Sequence, residues 1–235
     1  MLVTGGAKGI GLATARAFVK NGDRVAVTYR SAPPSPDQSE GILAVPCDVT
    51  DGEQVEAAFA AVEAELGPVE VLVSNAGITA DMLVLRMKDD DFDRVLDTNL
   101  TGGFRVAKRA VKTMMRARFG RIVFISSVVG STGQAGQANY AASKSGLVGL
   151  SRSLAREFAS RGITVNVVAP GPVATDLFDA VDDKHRAAIE QAVPLGRLGE
   201  ADEVAATVVF LSSDLAGYIT GAVVPVDGGL GMGAF

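Results

Sequence analysis

The chain has no tryptophan, three tyrosines, one cysteine and one histidine. The lone cysteine, Cys47, excludes an intrachain disulfide and fits a reducing compartment. With that cysteine and a single histidine, His185, no metal-ligand spacing is present, and no metal site is expected. Basic residues are outnumbered by acidic ones, 22 to 27, for a formal net charge of −5. A non-specific binder of nucleic acid or of an anionic membrane carries the opposite balance. No apolar run is long enough to span a bilayer, and no basic region followed by an apolar segment and a cleavage site opens the chain. Fixed-period repeats are absent too. The expectation is a soluble, cytoplasmic protein with neither nucleic acid nor membrane as partner.

What is present is apolar sequence in quantity: 48% of 235 residues. That is enough for one large α/β domain over residues 1–235. Met1-Leu2-Val3 gives a very short first strand; either the strand is minimal or residues precede it, and the sequence leaves both open. Residues 4–11, TGGAKGIG, carry the chain from that strand into a helix beginning at Ile10. Gly5, Gly9 and Gly11 follow the pattern TGxxxGxG. Such a loop lets the backbone approach a phosphate, and the helix N-terminus adds free N–H groups and partial positive charge.

The second strand, Arg24–Tyr29, ends at Arg30. In dinucleotide folds the residue after this strand meets the adenosine ribose: an acid binds the 2′-hydroxyl, whereas Arg accommodates a 2′-phosphate. No acid stands at 28–30. Arg30, with Lys8 in the first loop, therefore predicts NADP(H) over NAD(H). Ser31–Gly41 holds three prolines, which excludes a normal crossover helix before the third strand, Leu43–Cys47. Asp48-Val49 follows, with the carboxylate as a candidate partner for an adenine amino group. A helix over Glu53–Leu66 and a strand over Val69–Val73 lead to Ser74-Asn75-Ala76-Gly77, small residues against which a cofactor can lie. One long helix is expected from Asp91 to about Ala117, with Asn99 inside it as a buried amide that holds a water. Seven cations and no acid occupy Arg105–Arg121, which reads as a docking surface for an acidic partner.

The richest stretch is Ile122–Leu154. A buried strand ends at Ser126-Ser127, a Gly/Ser/Gln loop follows, and a helix starts near Gln137. Tyr140 and Lys144 are four apart, on one helical face. Ser127 sits at the carboxyl end of its strand, where open α/β sheets bind ligands. Tyr140 can act as proton donor, with Lys144 drawing its pKa down and Ser127 holding the substrate oxygen. Another strand, Thr164–Ala169, runs into Pro170-Gly171-Pro172-Val173-Ala174-Thr175. Residues 176–197 are polar and weakly patterned, which suits a mobile lid. A helix over Glu200–Leu211 and a strand over Ala222–Val226 complete the chain. Strands alternating with helices predict a Rossmann-type, three-layer, doubly wound fold with a seven-stranded parallel sheet.

Taken in order, TGGAKGIG at 4–11, NAG at 75–77, Asn99, Ser127, Tyr140 and Lys144 in YAASK, and PG at 170–171 resemble the short-chain dehydrogenase/reductase family over essentially the full length. The resemblance implies that Asn99, Ser127, Tyr140 and Lys144 are catalytic. It also assigns Gly5, Lys8, Gly9, Ile10, Gly11, Arg30, Asp48, Val49, Asn75, Ala76, Gly77, Tyr140, Lys144, Pro170, Gly171, Val173 and Thr175 to binding NADP(H). Within the family the text around YAASK and the terminal GAVVPVDGG is most similar to the branch that reduces 3-oxoacyl thioesters on acyl carrier protein. That implies a homotetramer, with subunit contacts at the helices after strands 4 and 5 and at the last strand. It also implies carrier-protein docking on arginines near the site, at positions Arg118 and Arg161. The rivals are a reductase of the same family acting on another ketone, and a non-enzymatic NADPH sensor.

Overall fold

The computed structural model describes residues 1–175 and 183–234. The first half of the chain forms strands β1 (Leu2–Val3), β2 (Val25–Tyr29), β3 (Ile42–Pro46) and β4 (Val71–Ser74). Helix α1 (Gly9–Lys20) joins β1 to β2, and α2 (Gly52–Leu66) joins β3 to β4. Between β2 and β3 the proline-rich segment forms only a short 3-10 turn, Pro36–Gln38, as its composition requires. After β4 come α3 (Asp89–Leu96), a π-helical turn (Asp97–Thr101), α4 (Gly102–Ala117) and β5 (Gly120–Ile125). The second half continues through α5 (Val129–Thr132), α6 (Ala138–Phe158), β6 (Ile163–Pro170), β7 (Val173–Ala174), α7 (Asp183–Ala192), β8 (Gly199–Glu200), α8 (Ala201–Ser212) and β9 (Val223–Val226).

Seven strands pair in parallel in the order β3-β2-β1-β4-β5-β6-β9. The two-residue β1 is central despite its length: Leu2 pairs with Ala26 on one side and Leu72 on the other. Side chains alternate across such a sheet, so adjacent residues feed opposite layers. Leu2, Leu72, Ile122, Phe124 and Val165 join the core under α2, α4 and α6, around Phe59, Ala107, Met114 and Leu147. Val3, Val73, Val123, Ile125 and Val168 join the core under α1 and α8, around Phe18, Val204 and Leu211. Fully burying a side chain of this size is worth about 1.5–3 kcal/mol, and buried strands of Val, Ile and Leu are what a sheet covered on both faces demands.

Three details differ from the sequence expectation. The long helix from Asp91 to Ala117 is broken by the π turn, whose Thr98 and Asn99 are buried. One extra residue per turn reorients side chains locally, and a polar Asn that bonds outside the helix favours that over regular α geometry. The Gly/Ser loop after Ser127 contains a short helix, α5, whose Gly130 lies so close to α6 that a Cβ would sit 3.1 Å from the Lys144 carbonyl carbon. Strands β7 and β8 form a separate two-stranded ribbon, pairing Val173 with Gly199. The expected lid is helical over α7; its residues 176–182 lie outside the described residues. Among the described residues no helix is long and apolar enough to cross a membrane.

Candidate active site

The strand order reverses between β1 and β4, and the two loops leaving their carboxyl ends pack on each other. Gly5 has φ +62°, and a Cβ there would lie 2.8 Å from the Ala76 Cα. Only glycine takes that backbone conformation without cost and permits that approach. A Cβ on Gly11 would meet the Asn75 Nδ2 at 2.5 Å. Asn75 is fixed by donating from Nδ2 to the carbonyls of Thr4 and Gly5, each at 3.0 Å. Thr4 Oγ1 accepts from the main-chain N–H groups of Asn75 and Ala76. The glycine loop and the 75–77 turn are thus one unit, a bare backbone cradle at the N-terminus of α1. Lys8, the N-cap of α1, makes no side-chain capping bond, and no acid stands in the first turn. The first N–H groups of this helix are therefore available to an anion.

Lys8 and Arg30 are both exposed at the rim of this cradle, with no ion pair among the described residues. Thr175 stands over the loop, its Cγ2 3.6 Å from where a Gly9 Cβ would be. Asp48 uses Oδ1 to accept from the Thr50 N–H and hydroxyl at 2.9 and 2.8 Å, which leaves Oδ2 without a partner among the described residues. Val49 is buried against the start of α4, near Gly102. Pro170 accepts from the Val128 N–H at 2.9 Å, and Gly171 is packed against Asp227, where a Cβ would be 2.7 Å from the Asp227 Cα. Val173 is buried in the α1/α8 core. Packing therefore already explains the residue type at Val49, Gly171 and Val173.

Ser127, Tyr140 and Lys144 come together at the carboxyl end of β5. Ser127 and Tyr140 are half-buried, and the Ser127 hydroxyl lies close enough to act on the Tyr140 phenol. Lys144 is buried, its Nζ 5.5 Å from the centre of the Tyr140 ring and donating to the Ile125 carbonyl at 2.8 Å. Ser126 Oγ donates to the Lys144 carbonyl at 2.9 Å, so the strand end and the helix are clamped at two points. Burial lowers the Lys144 pKa from 10.5 to about 8. Sequence reasoning expects Lys144 to draw the Tyr140 phenol down. Instead burial pushes the phenol up, the nearby Ser127 hydroxyl pulls it partly back, and the Asp81 carboxylate adds to the rise. Desolvation outweighs the nearby ammonium because the phenolate would lose its water and gain only one hydroxyl. The phenol consequently keeps its proton at neutral pH.

Asn99 is buried beside this group, and its amide is bonded on both sides. Oδ1 accepts from the Ile78 N–H at 2.8 Å; Nδ2 donates to the Ile78 carbonyl and to Ser143 Oγ, each at 3.0 Å. Asn99 Oδ1 and Lys144 Nζ both face Gly77, at 3.2 and 3.5 Å from the position of a Cβ there. The missing side chain leaves a space lined by a lone pair and an ammonium.

Ser126, Ser143, Asn139 and Ile78 escaped the sequence reading. Asn139 is fully buried and donates to the Ala80 carbonyl at 2.9 Å. The available signal was small polar residues on the inner face of α6, beside Tyr140 and Lys144.

The basic stretch is not one surface. Arg105 pairs with Asp97 at 2.9 Å, and Arg109 with Glu56 and Glu63 at 2.9 and 2.6 Å. Arg121 is buried, its guanidinium 4.4 Å from the Phe119 ring centre. Lys112 pairs with Glu56 at 3.8 Å and borders an open hollow of about 580 Å³ that Met115, Arg116, Arg118 and Arg161 also line. Arg118 ends α4 and Arg161 precedes β6, so both stand at the amino edge of the sheet. Six residues of β5 separate them from Ser127, about 20 Å at ~3.3 Å per residue. Within one chain these arginines are therefore not near the site.

The family described as enoyl-(acyl carrier protein) reductase matches residues 5–231. The 3-oxoacyl-[acyl-carrier-protein] reductase MabA of Mycobacterium tuberculosis (strain H37Rv) is 52% identical over 233 residues, 99% of this chain and 93% of the relative. The 3-oxoacyl-[acyl-carrier-protein] reductase FabG of Salmonella typhimurium is 50% identical and that of Escherichia coli (strain K12) 48%, each over 235 residues, 98% of this chain and 96% of the relative.

Proposed function

The chain belongs to the short-chain dehydrogenase/reductase family, and from that premise we propose that it reduces 3-oxoacyl thioesters on acyl carrier protein to 3-hydroxyacyl thioesters, with NADPH as reductant, in the cytoplasm. The observation that carries the reading is the convergence of the Ser127 and Tyr140 hydroxyls above a buried Lys144. Two hydroxyls on one side of a cleft suit a carbonyl oxygen on which charge develops.

The cradle of Gly5, Gly9, Gly11 and Asn75–Gly77 fits a dinucleotide, since a Cβ at Gly5 or Gly11 would collide with Ala76 or Asn75 and force apart the two loops that form it. The N-terminus of α1 with Ile10 would hold the pyrophosphate. Arg30 and Lys8 favour a 2′-phosphate, with no acid at the end of β2 to bind a 2′-hydroxyl instead. Asp48 Oδ2, left without a partner among the described residues, would accept from an adenine amino group, and Pro170 and Thr175 would hold the nicotinamide end. When bound, NADPH supplies the hydride to the ketone carbon. Ser127 donates a hydrogen bond to the ketone oxygen. Tyr140, held protonated by burial, gives its proton to that oxygen, and the product is the secondary alcohol. Lys144 would stabilise the phenolate left behind and, with NADPH bound, would hold the ribose hydroxyls. Asn99 and Lys144 border the space beside Gly77, where a water can resupply the proton.

The carrier protein is acidic in this reading and docks on Arg116, Arg118 and Arg161. Because these lie about 20 Å from Ser127 along the sheet, its acyl arm has to bridge from the amino edge to a site at the carboxyl edge. Exposed Phe104 and Met115 on α4, Phe210 on α8, and Leu215 and Tyr218 before β9 leave apolar surface for partner subunits, which supports a homotetramer.

The test is oxidation of NADPH and NADH with a 3-oxoacyl carrier protein, an enoyl carrier protein and simple ketones. Turnover concentrated on the 3-oxoacyl substrate with NADPH is expected. Turnover on the enoyl substrate alone would move the reaction to the carbon–carbon bond. Activity confined to simple ketones would make it a reductase of another ketone, and NADPH binding without turnover on any of them would make it a sensor.

A further inference from the structure

Ser143 is fully buried and precedes Lys144 in the helix that carries Tyr140. Its hydroxyl donates to the Tyr140 carbonyl at 2.8 Å and accepts from Asn99 Nδ2 at 3.0 Å. Asn99 holds both main-chain polar groups of Ile78. A continuous line of hydrogen bonds therefore runs from the Gly77–Ile78 turn, through the π turn, to the turn of α6 that presents Tyr140. Among the described residues the Ser143 hydroxyl is the one side chain that bonds Asn99 to α6. One turn earlier, Asn139 ties Ala80 to the same helix, so the loop has a second anchor, but not at Ile78.

Only a short hydroxyl suits this position. The side chain has to give its proton back to its own helix and still present a lone pair to the Asn99 amide. Alanine would leave Asn99 Nδ2 with one partner in a buried site and would remove the hydrogen bond that ties the π turn to α6, leaving only the packing of Leu100 on Gly146. In the proposed reaction Gly77 and Ile78 would form part of the wall that holds the cofactor, and Tyr140 would deliver the proton. Misplacement of reacting groups by about 1 Å can cost a hundredfold in rate.

We propose that Ser143 is a positioning residue: acting through Asn99, it fixes the Gly77–Ile78 wall relative to the Tyr140 hydroxyl. This rests on the reading that Tyr140 and Asn99 work in the reduction. Ser143→Ala should lower kcat ten- to a hundredfold on whichever substrate the parent reduces, with KM and the NADPH Kd within twofold. Ser143→Cys, which keeps a weak donor and acceptor at similar volume, should recover part of the loss. If Ser143 acts through Asn99, the Asn99→Ala/Ser143→Ala double variant should have the kcat of Asn99→Ala within twofold; a merely structural role would multiply the two losses. Amide hydrogen exchange at Ile78 should quicken in Ser143→Ala while exchange in α4 stays unchanged. That readout needs no substrate, so a parent without turnover would overturn the reductase reading while Ile78 still decides the role of Ser143. Unchanged exchange at Ile78, multiplying losses, or a lowered Tm with parental kcat would each overturn it. Should Ser143→Ala fail to fold, Ser143→Cys carries the same measurements.

Discussion

Lys144 gives the sharpest quantitative prediction. Its ammonium is buried, and among the described residues its one hydrogen bond is to the Ile125 carbonyl. The folded protein binds this proton less tightly than the unfolded chain does, because burial takes the pKa from 10.5 to about 8. A depressed lysine pKa therefore opposes folding in full below pH 8, loses its effect between 8 and 10.5, and has none above. The whole effect corresponds to about 3 kcal/mol, of which about 2 kcal/mol is relieved between pH 7 and pH 9.5. Lys144→Met removes the charge at similar length and leaves the Ile125 carbonyl without its donor, a loss of about 1–3 kcal/mol for a buried acceptor. At pH 7 the two effects nearly offset, and the variant should be about as stable as the parent. At pH 9.5 the parent has gained its relief and the variant has not. Urea unfolding of both proteins at the two pH values gives the quantity that matters, the change in their stability difference. It should favour the parent by about 2 kcal/mol more at the higher pH. Other groups that titrate in this range are common to both proteins and cancel. A difference that stays flat within ~0.5 kcal/mol would refute the claim that burial holds Lys144 near neutrality.

Tyr140→Phe should keep the fold and NADPH binding and lower kcat about a thousandfold, measured in single turnover, because the phenol is the proton donor. Arg30→Glu should weaken NADPH ten- to a hundredfold with NADH changed little, read by fluorescence titration; an equal loss for both would remove Arg30 from the 2′-phosphate. Arg118 ends α4 at φ 54°, a left-handed position that favours glycine. Arg118→Gly should therefore raise stability by about 0.5–1 kcal/mol, and yet lower kcat/KM for the carrier-protein substrate while sparing small thioesters; equal rates on the carrier-protein substrate would exclude docking there. Burial pushes the Glu63 carboxyl up, but the hydrogen bonds from Arg109 and Thr113 outweigh it and hold the pKa below 4.5. The Glu63 contribution is thus present above pH 4.5 and lost as pH falls through the depressed value. Glu63→Gln should lower stability at pH 7 by about 1–3 kcal/mol and flatten the acid limb of the stability profile.

Much of this was legible in the chain. Buried strands alternating with helices announced a parallel sheet, because only βαβ units bury both faces of each strand. The grouping of Ser127, Tyr140 and Lys144 could be read because local geometry nearly fixes it: Tyr140 and Lys144 share a helical face by spacing, and Ser127 ends the strand before that helix. The proline-rich break after β2 was legible too, since proline forbids an interior helix whatever surrounds it. Long-range contacts were not legible. The expected basic surface divided because Glu56 and Glu63 on α2, some 50 residues away in sequence, neutralise Arg105's neighbour Arg109 and hold it against Phe59. The π turn was missed because it depends on what Asn99 bonds, and its partners are at 78 and 143.

The sequence by itself determined the layer order, the glycine cradle and the grouping of the candidate site side chains, because period, spacing and residue chemistry act locally. The tertiary structure alone decided which way the pKa values of Tyr140 and Lys144 move, since desolvation depends on everything packed around a group. It also decided that Asn99 and Ser143 form one hydrogen-bonded line, and that Arg118 and Arg161 meet at the sheet edge opposite Ser127, because only the folded chain sets the distance between residues that no local rule connects.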